Sequence, residues 1–338
     1  MINKNKIYII AEIGHNHQGC IETAFKLFEQ AKIAGANAVK LQKRDNKNLY
    51  TKEFYNSVYD NENSYGKTYG QHREHLEFNK AQYIKLKKYA QNINIDFFVT
   101  PFDISSLEFL EDLNISAYKI ASADLRNPFL QERIAKTKKP IFISTGGGTY
   151  KDVKNAKELI FKYNKRLTIM HCTASYPAKI EELNLNIIAI LKKKFSDCII
   201  GLSDHENGID AAPIAYMLGA RVFEKHFTLD RTNKGTDNAF SLEPQGLSKF
   251  VRNLHRIESM LGSKEKKLLV SEEKPLFKMK KSIVAKKNIS KGTVVRLEHL
   301  DFKSPGLGLE PFLYKKLIGK KLKRNIKKED YLLFEDLK

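Results

Sequence analysis

The sequence predicts an α/β protein, a (β/α)8 TIM barrel followed by a small β-rich domain. Three observations carry that expectation. Eight short apolar runs rich in β-branched and aromatic residues recur before residue 227, with segments of helical spacing after each. No G-x-G-x-x-G follows the first run, which argues against an open dinucleotide-binding sheet. After Gly262 the alternation stops and shorter strands with Gly/Pro turns take over. Near-continuous apolar strands between amphipathic helices imply a parallel sheet covered on both faces. Eight such units imply closure.

The elements follow in order. IYIIAEI (7–13) precedes ETAFKLFEQAKIAG, whose apolar residues recur at helical spacing. NAVKLQK (37–43) reaches its helix, NKAQYIKLKKYAQ, only after a loop, 44–78, rich in Tyr, Asn and His. Loops of that length tend to be functional. IDFFVT (95–100) is followed by SSLEFLEDL, SAYKIAS (116–122) by PFLQERIAKT, and PIFIST (140–145) by KDVKNAKELIFKY. LTIMHCT (167–173), CIIGLS (198–203) and RVFEKH (221–226) pair with LNLNIIAILKKKF, GIDAAPIAYMLGA and LSKFVRNLHRIESMLG. The expected organisation is a barrel over 1–262, a polar, charged linker over 263–280, and a small domain over 281–338.

Composition sets bounds. Hydrophobic residues make up 42% and charged residues 29%, as in ordinary globular proteins. No apolar run reaches the roughly 20 residues a bilayer requires, and MINKNKIYIIAEIG lacks a signal-peptide layout. Cys20, Cys172 and Cys198 are odd in number and lack C-x-x-C spacing, so neither a disulfide frame nor a thiolate zinc site is expected. The expected location is cytoplasmic. The net charge of +20 is uneven: 17 Lys/Arg face 7 Asp/Glu from Lys278 onward. Such a tail could meet nucleic acid, but it lacks RNP-type aromatics and a recognition helix, so no nucleic-acid partner is expected.

In a (β/α)8 barrel, polar residues at the C-terminal strand ends form the active site. Here they are Glu12, Lys40 and Gln42, Thr100, Lys119 with Ser122 and Asp124, Ser144, Ser203 and His205, and Glu224 and His226. Members two apart point the same way from a strand. A buried ammonium is costly unless an anion meets it, so Lys40 and Lys119 call for carboxylates or a bound phosphate. His205 and His226 fall at the ends of the seventh and eighth runs, which are neighbours in a barrel. Two imidazoles with open positions would suit Mn²⁺, Zn²⁺ or Fe²⁺. On spacing alone they could equally be two unrelated polar residues at loop edges.

AEIGHNHQG (11–19), KLQ (40–42), TPFD (100–103), YKIASAD (118–124), ISTGG (143–147), HCTASYP (171–177), GLSDHENG (201–208), EKHFTLDR (224–231) and SLEP (241–244) together resemble the sialic acid (N-acetylneuraminate) synthase family. KSIVAKKNISKGTVV and SPGLG resemble that family's C-terminal antifreeze-like SAF domain. The resemblance implies condensation of phosphoenolpyruvate with an N-acyl mannose-type sugar to a nine-carbon 2-keto sugar acid and phosphate. It implies a divalent metal, Mn²⁺ in preference to Mg²⁺, on His205 and His226, polarising the acceptor's aldehyde. Carried over motif by motif, Lys40, Thr100, Lys119, Ser122, Ser144 and Ser203 would hold phosphoenolpyruvate. Glu12, Gln42, Tyr176 and Asp237 would contact the sugar. Asp124 would be the general base, with Glu224 and Glu12 the other acidic candidates. A homodimer with exchanged C-terminal domains, placing Lys303 over the partner's site, also follows from the resemblance.

Two positions depart from the pattern. Ala174 stands where many members have Asn, so a phosphoenolpyruvate contact is lost or moves to Ser175. Ser304 stands where Arg commonly precedes PG, leaving Lys303 beside it without arginine's planar fork. The acceptor stays open among N-acetylmannosamine, its 6-phosphate and diacetamido trideoxy sugars. Alternatives are another phosphoenolpyruvate–sugar synthase, whose relatives usually lack the tail, and a noncatalytic family member.

Overall fold

The computed structural model describes residues 3–338. The chain divides into two compact units, Met1–Leu261 and Gly262–Lys338.

In the first unit eight parallel strands close in sequence order: β1 (Tyr8–Gly14), β2 (Ala38–Lys43), β3 (Asp96–Pro101), β4 (Tyr118–Ile120), β5 (Ile141–Ser144), β6 (Leu167–Cys172), β7 (Ile199–Asp204) and β8 (Val222–His226). β1 pairs with both β2 and β8, placing Glu12 level with Lys40 on one side and with His226 on the other. Helices such as Ile21–Ile33, Lys80–Asn92 and Pro244–Leu261 bury one apolar face, here Ala24, Leu27 and Phe28 or Leu247, Phe250 and Leu254. The expected fourth strand is shorter than its apolar run, because Ser122 already opens a 3-10 turn, Ser122–Asp124. The 44–78 stretch holds three short helices, Asn46–Leu49, Lys52–Tyr55 and Tyr69–His75. Thr68 starts the last of these with a capping box completed by Gln71.

The second unit has its own core, including Ile283, Val295, Leu300, Leu317, Leu322 and Leu332. Its one sheet among the described residues pairs β9 (Ser282–Ala285) with β10 (Leu300–Lys303), antiparallel. The segment 263–280, expected as a linker, contains a helix, Val270–Met279, belonging to this unit.

Candidate active site

A cavity of about 740 Å³ opens at the C-terminal ends of the barrel strands. Beneath it the barrel interior is aromatic. Phe98 stacks on Phe142 with ring centroids 4.9 Å apart, and Tyr8 lies 6.3 Å from Phe142. Two residues further along β3 and β5 come Thr100 and Ser144, the same faces one pleat higher.

Above these rings sits a buried ionic layer. Lys40 Nζ lies 2.7 Å from Glu12 Oε2 and 3.9 Å from Glu224 Oε2, and it donates to Thr100 Oγ1 at 2.8 Å. Lys119 Nζ donates to Glu224 Oε1 at 3.2 Å, and Ser203 Oγ donates to the same oxygen at 3.1 Å. Two ammonium groups therefore meet two carboxylates, as the sequence required of such lysines. The two carboxylates differ. Burial pushes Glu224 up, but Lys119 and Lys40 more than offset it and hold it at about 2. For Glu12 burial outweighs the attraction of Lys40, and the charge of Glu224 adds to it, so its carboxyl is raised. Environments that separate two carboxylates in this way suit acid–base roles.

His205 and His226 are brought together, ring centroids 5.3 Å apart, under the rings of Tyr176 and Phe240. His205 Nδ1 sits 2.7 Å from the Thr173 carbonyl. That bond fixes the proton on Nδ1 and leaves the Nε2 lone pair free. His226 Nδ1 is buried without a hydrogen-bond partner, and Asp237 Oδ2 lies 3.7 Å away. Burial pushes His226 down to about 3, so its ring is neutral at physiological pH. A pair of imidazoles so placed fits a divalent cation whose remaining ligands come from water or substrate. No cluster of three or more His, Cys, Asp or Glu side chains suited to a metal occurs among the described residues.

Gln42 links Glu12 to the cavity mouth: its Nε2 donates to Glu12 Oε1 at 2.7 Å, and its Oε1 accepts from Arg44 at 2.7 Å. Ser122 Oγ accepts from the Gly146 N–H at 3.0 Å, while the Ser144 hydroxyl is buried without a partner. Gly146 is required there, since a Cβ would lie 2.8 Å from both Ser122 Oγ and Ala174 Cβ. Ala174 thus packs under the glycine loop. Ser175 does not replace a lost contact, because its hydroxyl donates to the Pro177 carbonyl at 3.1 Å.

One expected residue does not line this cavity. Asp124 is buried beneath the turn after β4, where its carboxylate accepts from Asn127 at 2.9 Å, and it does not line the space. Glu12, Glu224 and Asp237 are the acidic groups that do. Lys303 lies on β10 of the second unit, paired with Glu329 on that unit's surface.

Other lining residues escaped the sequence reading: His15, Arg44, Phe102, Arg73 and Arg126. The signal for Arg44 was present, since it continues the Lys40/Gln42 alternation. Outside the barrel wall, Lys225 donates to Asp204 at 2.6 Å and to the Glu206 carbonyl, fully buried. It ties the residues flanking His205 to the strand that carries His226.

A closed eight-stranded barrel with a lysine–carboxylate layer and a histidine pair at its C-terminal end defines the class: a barrel with an active-site cavity suited to anionic, oxygen-rich ligands. Comparison with known proteins narrows it. Residues 27–266 match the model of the NeuB family and residues 280–338 that of the SAF domain. The chain is 38% identical to N-acetylneuraminate-9-phosphate synthase of Homo sapiens, over 97% of this chain and 92% of that protein. It is 35% identical to N,N'-diacetyllegionaminic acid synthase of Campylobacter jejuni, over 97% of this chain and 99% of that protein. The crystal structure of N-acetylneuraminic acid synthetase from Leptospira borgpetersenii superposes with a TM-score of 0.69 at 32% identity, covering 81% of this chain and 91% of that one. The chain belongs to the NeuB family and ends in a SAF domain.

Proposed function

We propose that this chain is a nonulosonate synthase. It condenses phosphoenolpyruvate with an N-acyl mannose-type sugar to a nine-carbon 2-keto sugar acid, releasing phosphate. One observation carries the reading: a chain matching such synthases along nearly its whole length brings both strand-end histidines and both lysine–glutamate pairs into one cavity.

The donor fits the lower tier. Its phosphate and carboxylate find Lys40, Lys119, the free Ser144 hydroxyl and Ser122 beside the Gly146 loop. Charge-assisted bonds from lysines are the strong ones for such groups. His205 and His226 would hold a divalent cation, Mn²⁺ or Mg²⁺, with Asp237 adjacent. When bound, that cation supplies Lewis-acid polarisation of the acceptor's aldehyde. In the reaction the enol carbon of phosphoenolpyruvate bonds to the aldehyde carbon. Water adds at the donor's C2, and the C2–O bond to phosphate breaks. Glu12, whose carboxyl is raised by burial, is placed to exchange the proton this requires. Glu224 stays ionised and steadies the positive charge that develops at C2. Tyr176 and Phe240 wall the acceptor side over the histidines.

No helix among the described residues is long and apolar enough to cross a membrane. In the proposed assembly two copies exchange second units, and Lys303 reaches the partner's cavity. Light scattering gives the mass of the assembly, and a covalent cross-link from position 303 identifies its target. Incubation with Mn²⁺, phosphoenolpyruvate and a panel of N-acyl mannose-type sugars tests the activity. Phosphate should appear only with a suitable acceptor, and silence across the panel sinks the reading.

A further inference from the structure

The lower tier of the cavity balances its charges, but the tier above it does not. Arg44, four residues beyond Lys40, is buried. Its Nη2 donates to Gln42 Oε1 at 2.7 Å, its Nη1 lies 3.0 Å from His15 Nε2, and its guanidinium rests 3.7 Å over the Phe102 ring. Arg73, from the Tyr69–His75 helix in the long β2 loop, donates from Nε to the Tyr69 hydroxyl at 3.0 Å. Its Nη1 lies 3.3 Å from His15 Nδ1. Both arginines line the cavity.

Every one of these partners is neutral. His15 itself is held well below its ordinary range by burial, and then by Arg44 and Arg73. The nearest carboxylates are committed elsewhere. Glu77 binds Lys43 at 2.6 Å and the Arg44 backbone N–H at 3.1 Å, while Asp237 lies 3.7 Å from His226 and attracts Arg73 only across space, without contact. Among the described residues neither guanidinium has a carboxylate oxygen within 4.0 Å.

The hydrogen-bond count points the same way. A neutral imidazole has one lone pair and one N–H, whereas arginine only donates. With a guanidinium on each ring nitrogen of His15, one of the two must face another donor. Two confined cations, one donor without an acceptor, and no carboxylate in contact with either guanidinium make a site that is costly until an anion arrives. The planar fork of arginine matches a phosphate bidentately.

Building on the synthase reading, we propose that Arg44 and Arg73 form a phosphate subsite for the acceptor, which therefore carries a phosphoryl group on the carbon remote from its aldehyde. The anion bound there is not the donor's. Phosphoenolpyruvate has its own donors one tier lower, around Lys40, Lys119 and Ser144, while Arg44 and Arg73 sit at the mouth beyond Gln42.

Steady-state kinetics with phosphoenolpyruvate, Mn²⁺ and three acceptors test this: N-acetylmannosamine, its 6-phosphate and a diacetamido trideoxy mannose-type sugar. The wild-type protein should prefer the 6-phosphate by about 100-fold or more in kcat/KM, as expected for two charge-assisted contacts. Arg44→Gln and Arg73→Gln should each raise KM for the 6-phosphate roughly 10-fold or more, with KM for phosphoenolpyruvate moving by less than about threefold. Equal or better turnover of either unphosphorylated sugar by the wild-type protein overturns the subsite and leaves the synthase reading standing. So does a rise confined to KM for phosphoenolpyruvate in the variants. Absence of turnover with all three overturns both. The wild-type comparison decides the matter even where a variant fails to fold.

Discussion

Replacing Glu224 by Gln tests the ionic layer most sharply. The substitution keeps the side chain's shape and its acceptor for Ser203, but removes the charge facing Lys119 at 3.2 Å and Lys40 at 3.9 Å. With an effective dielectric constant near 20, the Lys119 contact alone is worth about 5 kcal/mol of Coulomb attraction. Part of that is returned, since a neutral amide costs less to bury than a carboxylate. Breaking a buried pair from one side typically costs about 3–5 kcal/mol, and Lys40 keeps Glu12 at 2.7 Å, so the lower end applies. For a barrel of this size roughly 3 kcal/mol lowers the melting temperature by about 6–12 °C. The barrel transition, followed separately from that of the second unit by calorimetry, reads this directly. Adding Lys119→Met should recover about 2 kcal/mol, because the stranded ammonium is gone. Phosphoenolpyruvate should raise the melting temperature of Glu224→Gln by more than that of the parent, supplying the missing anion. A melting temperature within about 2 °C of the parent, with strictly additive double-variant energies, would refute the paired layer.

Other outcomes follow from the same geometry. His205→Ala and His226→Ala should each abolish turnover while the barrel still melts cooperatively, and chelation should silence the parent until Mn²⁺ is restored. Survival of metal-dependent turnover in either variant rules out the pair as the metal site. Lys225→Met strands the buried Asp204 and should cost about 3–5 kcal/mol by denaturant unfolding, most of it recovered by a further Asp204→Asn. Burial holds His17 down at about 3, with a bond involving the Gly14 backbone opposing and His75 adding to the effect. The folded barrel therefore keeps this ring neutral, whereas the unfolded chain takes up a proton below its ordinary value near 6.5. Stability is full above that value and falls as pH drops toward the folded value, by about 2 kcal/mol at pH 5 from this ring alone. Urea unfolding of His17→Asn should show that much less loss between pH 7 and pH 5. A parallel loss in both proteins counts against the assignment.

The barrel was legible because its strands are buried on both faces and read as apolar runs, as IYIIAEI and LTIMHCT do. So were the lysines and histidines at strand ends, since strand alternation fixes which side chains share a face. Asp124 misled because a residue five past Lys119 in YKIASAD leaves the strand: the chain turns at Ser122, and the carboxylate swings under Asn127 rather than into the cavity. Arg73 was invisible for a different reason. It reaches the site from a short helix in a long loop, and no periodicity in 44–78 says where that loop folds back. The helix Val270–Met279 was hidden by an exposed, charged sequence that buries none of its side chains.

The proposed reaction breaks the C2–O bond of phosphoenolpyruvate and not the P–O bond, and it does so only after an acceptor is joined. Phosphoenolpyruvate labelled with ¹⁸O in the bridging position, incubated with the protein, Mn²⁺ and the acceptor panel, tests this in one measurement. The label should leave with the inorganic phosphate, in step with a nine-carbon keto acid seen by mass spectrometry, and neither should form without acceptor. Phosphate released without acceptor, label retained in the organic product, or no product from any acceptor would contradict the account.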